Sequence, residues 1–407
     1  MLKREAEYSI KEVTESFRVL LVTGPRQVGK TTILKGLMPK NMNYVTLDDE
    51  VLRKSARTDP KLFLEEHPWP LLIDEVQYAP ELFPYIKIKV DEYQERSMYW
   101  LIGSQQFKLM KNVTESLAGR VGIIKLNSLT YTEIYDDIKN KEIFNPRQFK
   151  KSKNIDVNNI FELIFKGGMP ELYNISTMKR NYFFTSYINT YLARDVKDQI
   201  DVKDVEEFKR FMVSVASRTG EQVNYSNIAS ELGISDKTVK SWLDVLITSG
   251  IVYLLEPYKS SKIKRITHMP KIIFMDTGLC SYLAGYDDVK MLQSSSNAWH
   301  YLETFIISEI IKSYDARGIE PNISYYRDKD KNEIDLVIYK NNILYPFEIK
   351  KTASPKVSMI SSFKILEKSG KKVEAGGLIC FYDDLIHLDS KNYIIPISSV
   401  INIKKDN

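Results

Sequence analysis

Gly24-Pro25-Arg26-Gln27-Val28-Gly29-Lys30-Thr31 follows the aliphatic run Arg18-Val19-Leu20-Leu21-Val22 and leads into Thr32-Ile33-Leu34-Lys35-Gly36-Leu37. The eight residues fit G-x-x-x-x-G-K-[ST] between a strand-like and a helix-like run, the context a phosphate-binding loop requires. Glycines let the backbone aim N–H groups at phosphate oxygens, Lys30 places a charge on the β/γ oxygens, Thr31 offers a hydroxyl to Mg²⁺, and the following helix adds its dipole. The plain alternative is an ordinary glycine turn. Gly24, Pro25, Arg26, Gln27, Val28, Gly29, Lys30, Thr31 and Thr32 are the expected nucleotide contacts.

Further short aliphatic runs stand at Tyr44-Val45-Thr46-Leu47, Leu71-Leu72-Ile73, Tyr99-Trp100-Leu101-Ile102 and Val121-Gly122-Ile123-Ile124, separated by helix-length spacers. Such spacing predicts βαβ units and an α/β fold around a parallel sheet buried on both faces. Leu71-Leu72-Ile73 ends in Asp74-Glu75, where a parallel sheet presents its carboxyl end to a nucleotide. Asp74 is expected in the Mg²⁺ shell, and Glu75 is expected to orient and deprotonate the attacking water, which argues against a small-molecule kinase. A solvated strand end is the alternative. Ser104, closing the Tyr99 run, is a candidate contact to the γ-phosphate or water. Arg120 is a candidate for transition-state charge, in its own subunit or as a finger into a neighbour, with a surface residue as the alternative.

Four segments are expected: a phosphate-loop domain over 1–155, a helical lid over 156–204, a winged helix-turn-helix over 205–266, and an α/β domain over 267–407. The Lys- and Asn-rich stretch from Ile138 to Asn159 reads as an exposed loop, and an aromatic-rich helix is expected from Met178 to Val196. In the third segment Ile228, Ala229, Leu232, Val239, Leu243 and Leu246 form an internal apolar face, while Lys237, Lys240 and Ser241 face outward. Two lysines and no arginine are little with which to read DNA, so a packing or protein-docking module is an equal reading.

In the last segment, β-rich runs flank Asn341-Asn342: Glu333-Ile334-Asp335-Leu336-Val337-Ile338-Tyr339 before it and Ile343 to Lys350 after it. A two-residue turn there pairs Lys340 with Ile343, hence Asp335 with Glu348 and Glu333 with Lys350. One face is then wholly apolar and the other gathers the charges. Two carboxylates roughly 5 Å apart repel unless a cation lies between them, which points to a Mg²⁺ or Mn²⁺ site with Lys350 near enough to steer a water or a phosphate. Glu303 falls within the apolar arc of the helix from Trp299 to Tyr314; a carboxylate facing a core needs a partner, so it is expected as the third acid. The alternative is a surface salt-bridge cluster.

Composition constrains the rest. Of 407 residues, 43% are hydrophobic and 27% charged, which fits a folded chain of two or three domains. No apolar run approaches the ~20 residues of a membrane helix and no apolar signal core follows Met1, so no membrane partner and a cytoplasmic location are expected. Cys280 and Cys380 are too few for a disulfide framework, and His67, His268, His300 and His387 show no ligand spacing. A net charge of +5 is compatible with nucleic acid but far from the footprint of a DNA-coating protein.

At these residues the chain resembles prokaryotic AAA-type P-loop ATPases that carry a winged-helix segment and a C-terminal domain of unknown function similar to the PD-(D/E)XK nuclease fold. The resemblance spans nearly the whole chain, through Gly24 to Thr31, Asp74-Glu75, Gly103-Ser104, Gly119-Arg120, Gly167-Gly168-Met169-Pro170, Arg194-Asp195, Asp276-Thr277-Gly278-Leu279, Glu333-Ile334-Asp335 and Glu348-Ile349-Lys350. It departs at Ile334, where the nuclease motif has proline. It implies an AAA-like core, a winged helix and a nuclease-like domain, and it brings no settled substrate. Two functions follow. One is an ATPase driving a metal-dependent phosphodiesterase on DNA or RNA at Glu303, Asp335, Glu348 and Lys350. The other is an ATP-gated switch that binds nucleic acid, a protein partner or another copy of itself without cleavage.

Overall fold

The computed structural model describes residues 2–103, 113, 115–135, 138, 144–147, 149, 154–175, 177–191, 205–260 and 269–401. Ser104 and Arg194-Asp195 lie outside them. The chain folds as two compact units, one of Met1–Leu129, Thr248–Gly250 and Tyr314–Ile319, the other of Thr130–Ile247, Ile251–Ser313 and Glu320–Asn407.

The first unit is built on a five-stranded parallel sheet with the order β2-β3-β4-β1-β5. Its strands are β1 (Val19–Thr23), β2 (Asn43–Thr46), β3 (Leu71–Asp74), β4 (Tyr99–Gly103) and β5 (Val121–Lys125). The helices are α1 (Ala6–Ser16), α2 (Lys30–Leu37), α3 (Glu50–Thr58), α4 (Pro60–Glu66) and α5 (Leu82–Tyr93). Every residue of β1, β3 and β4 is buried, which is why these strands read as unbroken apolar runs rather than alternating ones. Val19, Leu21, Leu71, Ile73 and Leu101 share one core with Phe63, Phe83 and Ile86 from α4 and α5.

The second unit includes the helix Val157–Lys166, which packs against the helix Thr277–Leu283. The crossing explains two motifs for which the sequence offers no chemistry. A Cβ added to Gly278 would sit 2.4 Å from the carbonyl oxygen of Lys166 and 2.6 Å from Gly167 Cα, so Gly167 and Gly278 lie backbone against backbone. Asp276 ties the crossing together, accepting hydrogen bonds from Gly168 N–H at 2.9 Å and, as the cap of its own helix, from Leu279 N–H at 2.9 Å. The aromatic-rich helix is described over Arg180–Tyr191.

Three helices follow, Val205–Ala216, Tyr225–Leu232 and Asp236–Thr248, with Gly233 in the left-handed region at the tight turn between the last two. Ile228, Ala229, Val239, Leu243 and Leu246 are buried, and Lys237, Lys240 and Ser241 are exposed. β6 (Val252–Leu255) pairs antiparallel with β7 (Lys271–Phe274). The expected boundary at 266/267 therefore cuts between two paired strands, and the helix-turn-helix shares its sheet with the segment after it.

The C-terminal sheet is mixed, with the order β13-β14-β12-β10-β9-β8 and β11 beside β10. Its strands are β8 (Ile323–Arg327), β9 (Glu333–Lys340), β10 (Ile343–Ile349), β11 (Lys372–Val373), β12 (Gly377–Cys380), β13 (Ile386–His387) and β14 (Tyr393–Pro396). The β9–β10 register pairs Lys340 with Ile343 and Leu336 with Phe347, as the turn arithmetic requires, and Asn341 and Asn342 both have positive φ, as a type I′ turn demands. The face that gathers the charges is also covered. Val337 and Leu344, which share it with Asp335 and Glu348, pack with Ile360, Phe363 and Leu366 of the 3₁₀ segment Val357–Ser369. Parallel neighbours β10, β12 and β14 need crossovers, and crossovers cover faces.

In the stretch read as an exposed loop, residues 139–143, 148 and 150–153 lie outside the described residues, and two of those described are not free of the fold. Phe144 is buried edge-on against Phe347, with ring centroids 5.4 Å apart, and Arg147 bonds the Tyr345 hydroxyl. Two aromatic rings outweigh the polar composition around them, and both Phe144 and Phe347 belong to the second unit.

Replacing Gly278 by alanine should cost about 1–3 kcal/mol, because its Cβ meets backbone that cannot rotate away. Urea unfolding read by circular dichroism checks this; a midpoint equal to the parent's would refute the packing account.

Candidate functional site

The loop Gly24–Lys30 leaves β1 at the carboxyl edge of the parallel sheet. Gly24 is required by close approach: a Cβ there would lie 1.9 Å from the carbonyl oxygen of Leu126. Pro25 and Val28 are buried, Arg26 and Gly29 half-buried, and Gln27 and Thr32 exposed. Lys30, itself buried, starts α2 and donates to the carbonyls of Gly24 at 2.9 Å and Pro25 at 2.7 Å, which holds its ammonium within the loop.

Behind the loop, Thr31 Oγ1 donates to Asp74 Oδ2 at 2.8 Å, and the Tyr44 hydroxyl reaches the same oxygen at 3.3 Å. Asp74 Oδ1 accepts from Glu75 N–H at 3.0 Å. Burial, reinforced by Asp74, raises the Tyr44 phenol above its ordinary range, so it stays a neutral donor. Glu75 has a left-handed backbone, φ 55°, as the chain turns off β3, and its Oε2 accepts a hydrogen bond from Gln77 Nε2. A hydroxyl and a carboxylate at the end of a glycine loop are hard oxygen donors of the kind Mg²⁺ takes, so Thr31 and Asp74 fit a magnesium nucleotide.

Arg120 is elsewhere. Its carbonyl accepts from Val19 N–H at the amino ends of β1 and β5, about 16 Å of strand away from the loop. Its guanidinium grips both carboxylate oxygens of Asp91 in α5, at 2.5 and 2.8 Å, and this contact holds the Asp91 carboxyl below its ordinary range. The structure therefore does not bring Arg120 to its own subunit's nucleotide loop. A lone arginine after a glycine carries no signal of which sheet edge it marks.

The C-terminal residues do come together, with a member that sequence reasoning missed. Lys271 of β7, 1% exposed, is bonded to Glu303 of the helix Ala298–Asp315 at 2.7 Å and to Glu333 at 2.6 Å, and stands 4.0 Å from Asp335. Lys350 holds Glu348 at 2.5 Å and Asp335 at 3.4 Å, Arg327 holds Glu333 at 2.9 Å, and Ile349 N–H donates to Asp335 at 2.8 Å. A lysine inside the apolar run Pro270-Lys271-Ile272-Ile273-Phe274 was the available signal, since a buried ammonium must find carboxylates.

Burial pushes Glu303 up to about 8, with Lys271 opposing it and Asp335 and Glu333 adding to it. Burial likewise pushes Glu348 up to about 9, with Asp335 adding and Lys350 opposing. Burial pulls Lys271 down, but Glu303, Asp335 and Glu333 together outweigh it and hold the ammonium above its ordinary range. The three acids of the expected divalent-ion site, Glu303, Asp335 and Glu348, do lie in one cluster, each beside a lysine. Among the described residues no three His, Cys, Asp or Glu side chains are grouped to hold a metal, and the ammonium of Lys271 is a cation already bonded to Glu303.

Residues 16–135 match the family model described as "AAA domain", residues 157–290 a domain of unknown function (DUF8612), and residues 300–400 another (DUF4143). An uncharacterized protein of Mycobacterium tuberculosis is 29% identical over 360 residues, covering 88% of this chain and 75% of that one. An uncharacterized protein of Haemophilus influenzae is 21% identical, covering 80% and 81%. Among solved structures, the Walker-type ATPase PABY2304 of Pyrococcus abyssi has a TM-score of 0.44 at 13% identity, covering 70% of this chain and 96% of that one. The RuvB Holliday junction branch migration motor of Thermotoga maritima has a TM-score of 0.30 at 15% identity, covering 62% and 88%. The first unit thus carries an AAA-type P-loop domain, by its sheet and by the family match. Among the described residues, no helix is long and apolar enough to cross a membrane.

Two measurements test the C-terminal cluster. Lys271→Met should lower unfolding stability by about 3–5 kcal/mol, because it leaves Glu303 and Glu333 without their shared cation, and a second change, Glu303→Leu, should restore part of the loss. The pH dependence has a definite sign. Glu303 and Glu348 bind protons more tightly folded than unfolded, so their stabilisation is complete below about pH 4.5 and is lost as the pH rises through about 8 and 9. Denaturation midpoints should fall across that window in the parent and less steeply in Glu348→Gln; a parallel slope in both would refute the burial of Glu348.

Proposed function

We propose that this chain binds ATP with Mg²⁺ at its phosphate loop and hydrolyses it, and that the nucleotide state controls binding by the helix-turn-helix and C-terminal segments without cleavage of nucleic acid. The observation that carries the first part is the 2.8 Å bond from Thr31 to Asp74, which gathers the two metal-facing oxygens beside the lysine of the loop. Thr31 and Asp74 would hold the ion, which when bound neutralises phosphate charge. Lys30 and the loop amides orient the β/γ-phosphates, and Glu75 takes the proton of the attacking water. Gln77 fixes the Glu75 carboxylate by its hydrogen bond. Ser104, after β4, is proposed as a contact to the γ-phosphate or that water; Arg120, gripped by Asp91, has a place in this scheme only toward a neighbouring subunit.

Lys271 favours the second part. Metal-dependent cleavage, the other function the sequence suggests, needs carboxylates free to take a divalent ion, whereas here the Lys271 ammonium binds Glu303 and stands 4.0 Å from Asp335, and Lys350 holds Glu348. The exposed Lys237, Lys240 and Ser241 of the winged-helix-like segment would meet the partner, for which duplex DNA is the first candidate and RNA or a protein the others.

Phosphate release by purified protein should be abolished by Lys30→Ala through lost binding, and reduced about 100-fold or more by Glu75→Gln with binding retained. Full hydrolysis by Glu75→Gln would remove Glu75 from its role. Plasmid incubated with ATP and Mg²⁺ or Mn²⁺ should stay intact while duplex affinity, measured across salt concentrations, differs between the ATP and ADP states. Nicks abolished by Lys350→Ala would overturn the switch in favour of a nuclease.

A further inference from the structure

Arg4 lies before α1, far in sequence from any phosphate motif, yet it is 6% exposed and reaches the phosphate loop. Its NH1 donates to the carbonyl of Val28 at 2.7 Å, and its NH2 donates to the carbonyl of Asn127, just after β5, at 2.7 Å. A Cβ built on Gly29 would lie 3.7 Å from the same NH1, so the guanidinium lies against the Val28–Gly29 peptide. The arginine is held in turn. Arg4 N–H donates to Glu7 at 2.9 Å, the neighbouring Glu5 pairs with Arg317 at 3.2 Å, and Asn127 Nδ2 donates to Asp315 at 2.7 Å.

A trans peptide points its C=O and its N–H in opposite directions. Fixing the Val28 carbonyl on the guanidinium therefore fixes the Gly29 N–H toward the side away from Arg4, where a phosphate oxygen would have to lie to accept it. Gly29, with φ +89°, is the residue at which this peptide turns into α2, and a rotation there would point a carbonyl, not an N–H, at the phosphate. We propose that Arg4 is a positioning residue for the nucleotide: it pins the Val28–Gly29 peptide so that the loop is held ready to donate its Gly29 N–H to ATP. The bond is charge-assisted and buried, so it is strong enough to bias one peptide orientation. This rests on the phosphate-loop reading above and adds to it a contact from the amino-terminal segment.

The test is equilibrium binding of MgATP by calorimetry on the full chain, with thermal melting and steady-state hydrolysis of the same preparations. Arg4→Ala should weaken ATP binding about 10- to 100-fold and raise KM more than it lowers kcat, and Arg4→Lys, whose ammonium reaches one carbonyl but not both, should fall between. Added guanidinium at millimolar concentration, well below denaturing levels, should recover part of the lost affinity in Arg4→Ala. If Arg4→Ala and Arg4→Lys melt earlier but bind ATP as the parent does, Arg4 is only a structural residue and the proposal falls alone. If Arg4→Ala does not fold, Arg4→Lys decides by the same comparison. If the parent itself binds no ATP, the phosphate-loop reading has failed, and this inference with it.

Discussion

β4 lies between β1 and β3, pairing Thr23 with Gly103 on one side and Ile73 with Leu101 on the other, so the chain leaves β1 and β3 at the same edge of the sheet. That shared level lets Thr31 reach Asp74 across 43 positions of sequence. A one-residue slip of β3 would turn Asp74 to the other face and carry Ile73 into its place. Packing on both faces holds the register: every residue of the three central strands is buried, so a slipped strand would have to refit side chains of different shape against both layers. The site is a consequence of the sheet, and its buried carboxylate is met there by the donors of Thr31, Tyr44 and Glu75.

What could be read from sequence and what could not separates along contact distance. The phosphate loop is legible because its chemistry is covalently local: eight consecutive residues carry the glycines, the lysine and the hydroxyl. Asp74 is legible because a parallel sheet dictates where strand ends go. The β9–β10 register is legible because a two-residue turn leaves no freedom. Arg4 and Lys271 are not, since each acts through partners more than 20 residues away and neither belongs to a spaced pattern. Arg120 fails for a related reason. The sequence places it just before a strand but does not say that this end of the strand is the one remote from the loop.

Residues whose burial contradicts their type proved the better guide to non-local contacts. Glu303 in the apolar arc of a helix and Lys271 in the apolar run of a strand pose the same problem, an ion without water, and each is the other's solution at 2.7 Å. Gly167-Gly168 and Asp276-Thr277-Gly278 pose a different one, small residues with no evident turn, and they too resolve each other, as the two sides of one helix crossing. In both cases the signal lay in a pair of anomalies rather than in either motif.

The two acidic sites differ in what satisfies them, and the roles proposed for them differ accordingly. Asp74 is met by the hydroxyls of Thr31 and Tyr44 and by the N–H of Glu75, all neutral donors. Such partners orient a carboxylate without cancelling its charge, so its full attraction for a divalent cation persists, and the hydroxyl of Thr31 can turn its lone pair toward the same ion. Asp335 has Lys350 at 3.4 Å and Lys271 at 4.0 Å, and Glu303 and Glu333 share Lys271. There the cation is built into the fold. A divalent ion drawing Glu303 into its shell would have to part it from an ammonium that is itself almost fully buried, a cost that the loop beside Asp74 does not impose.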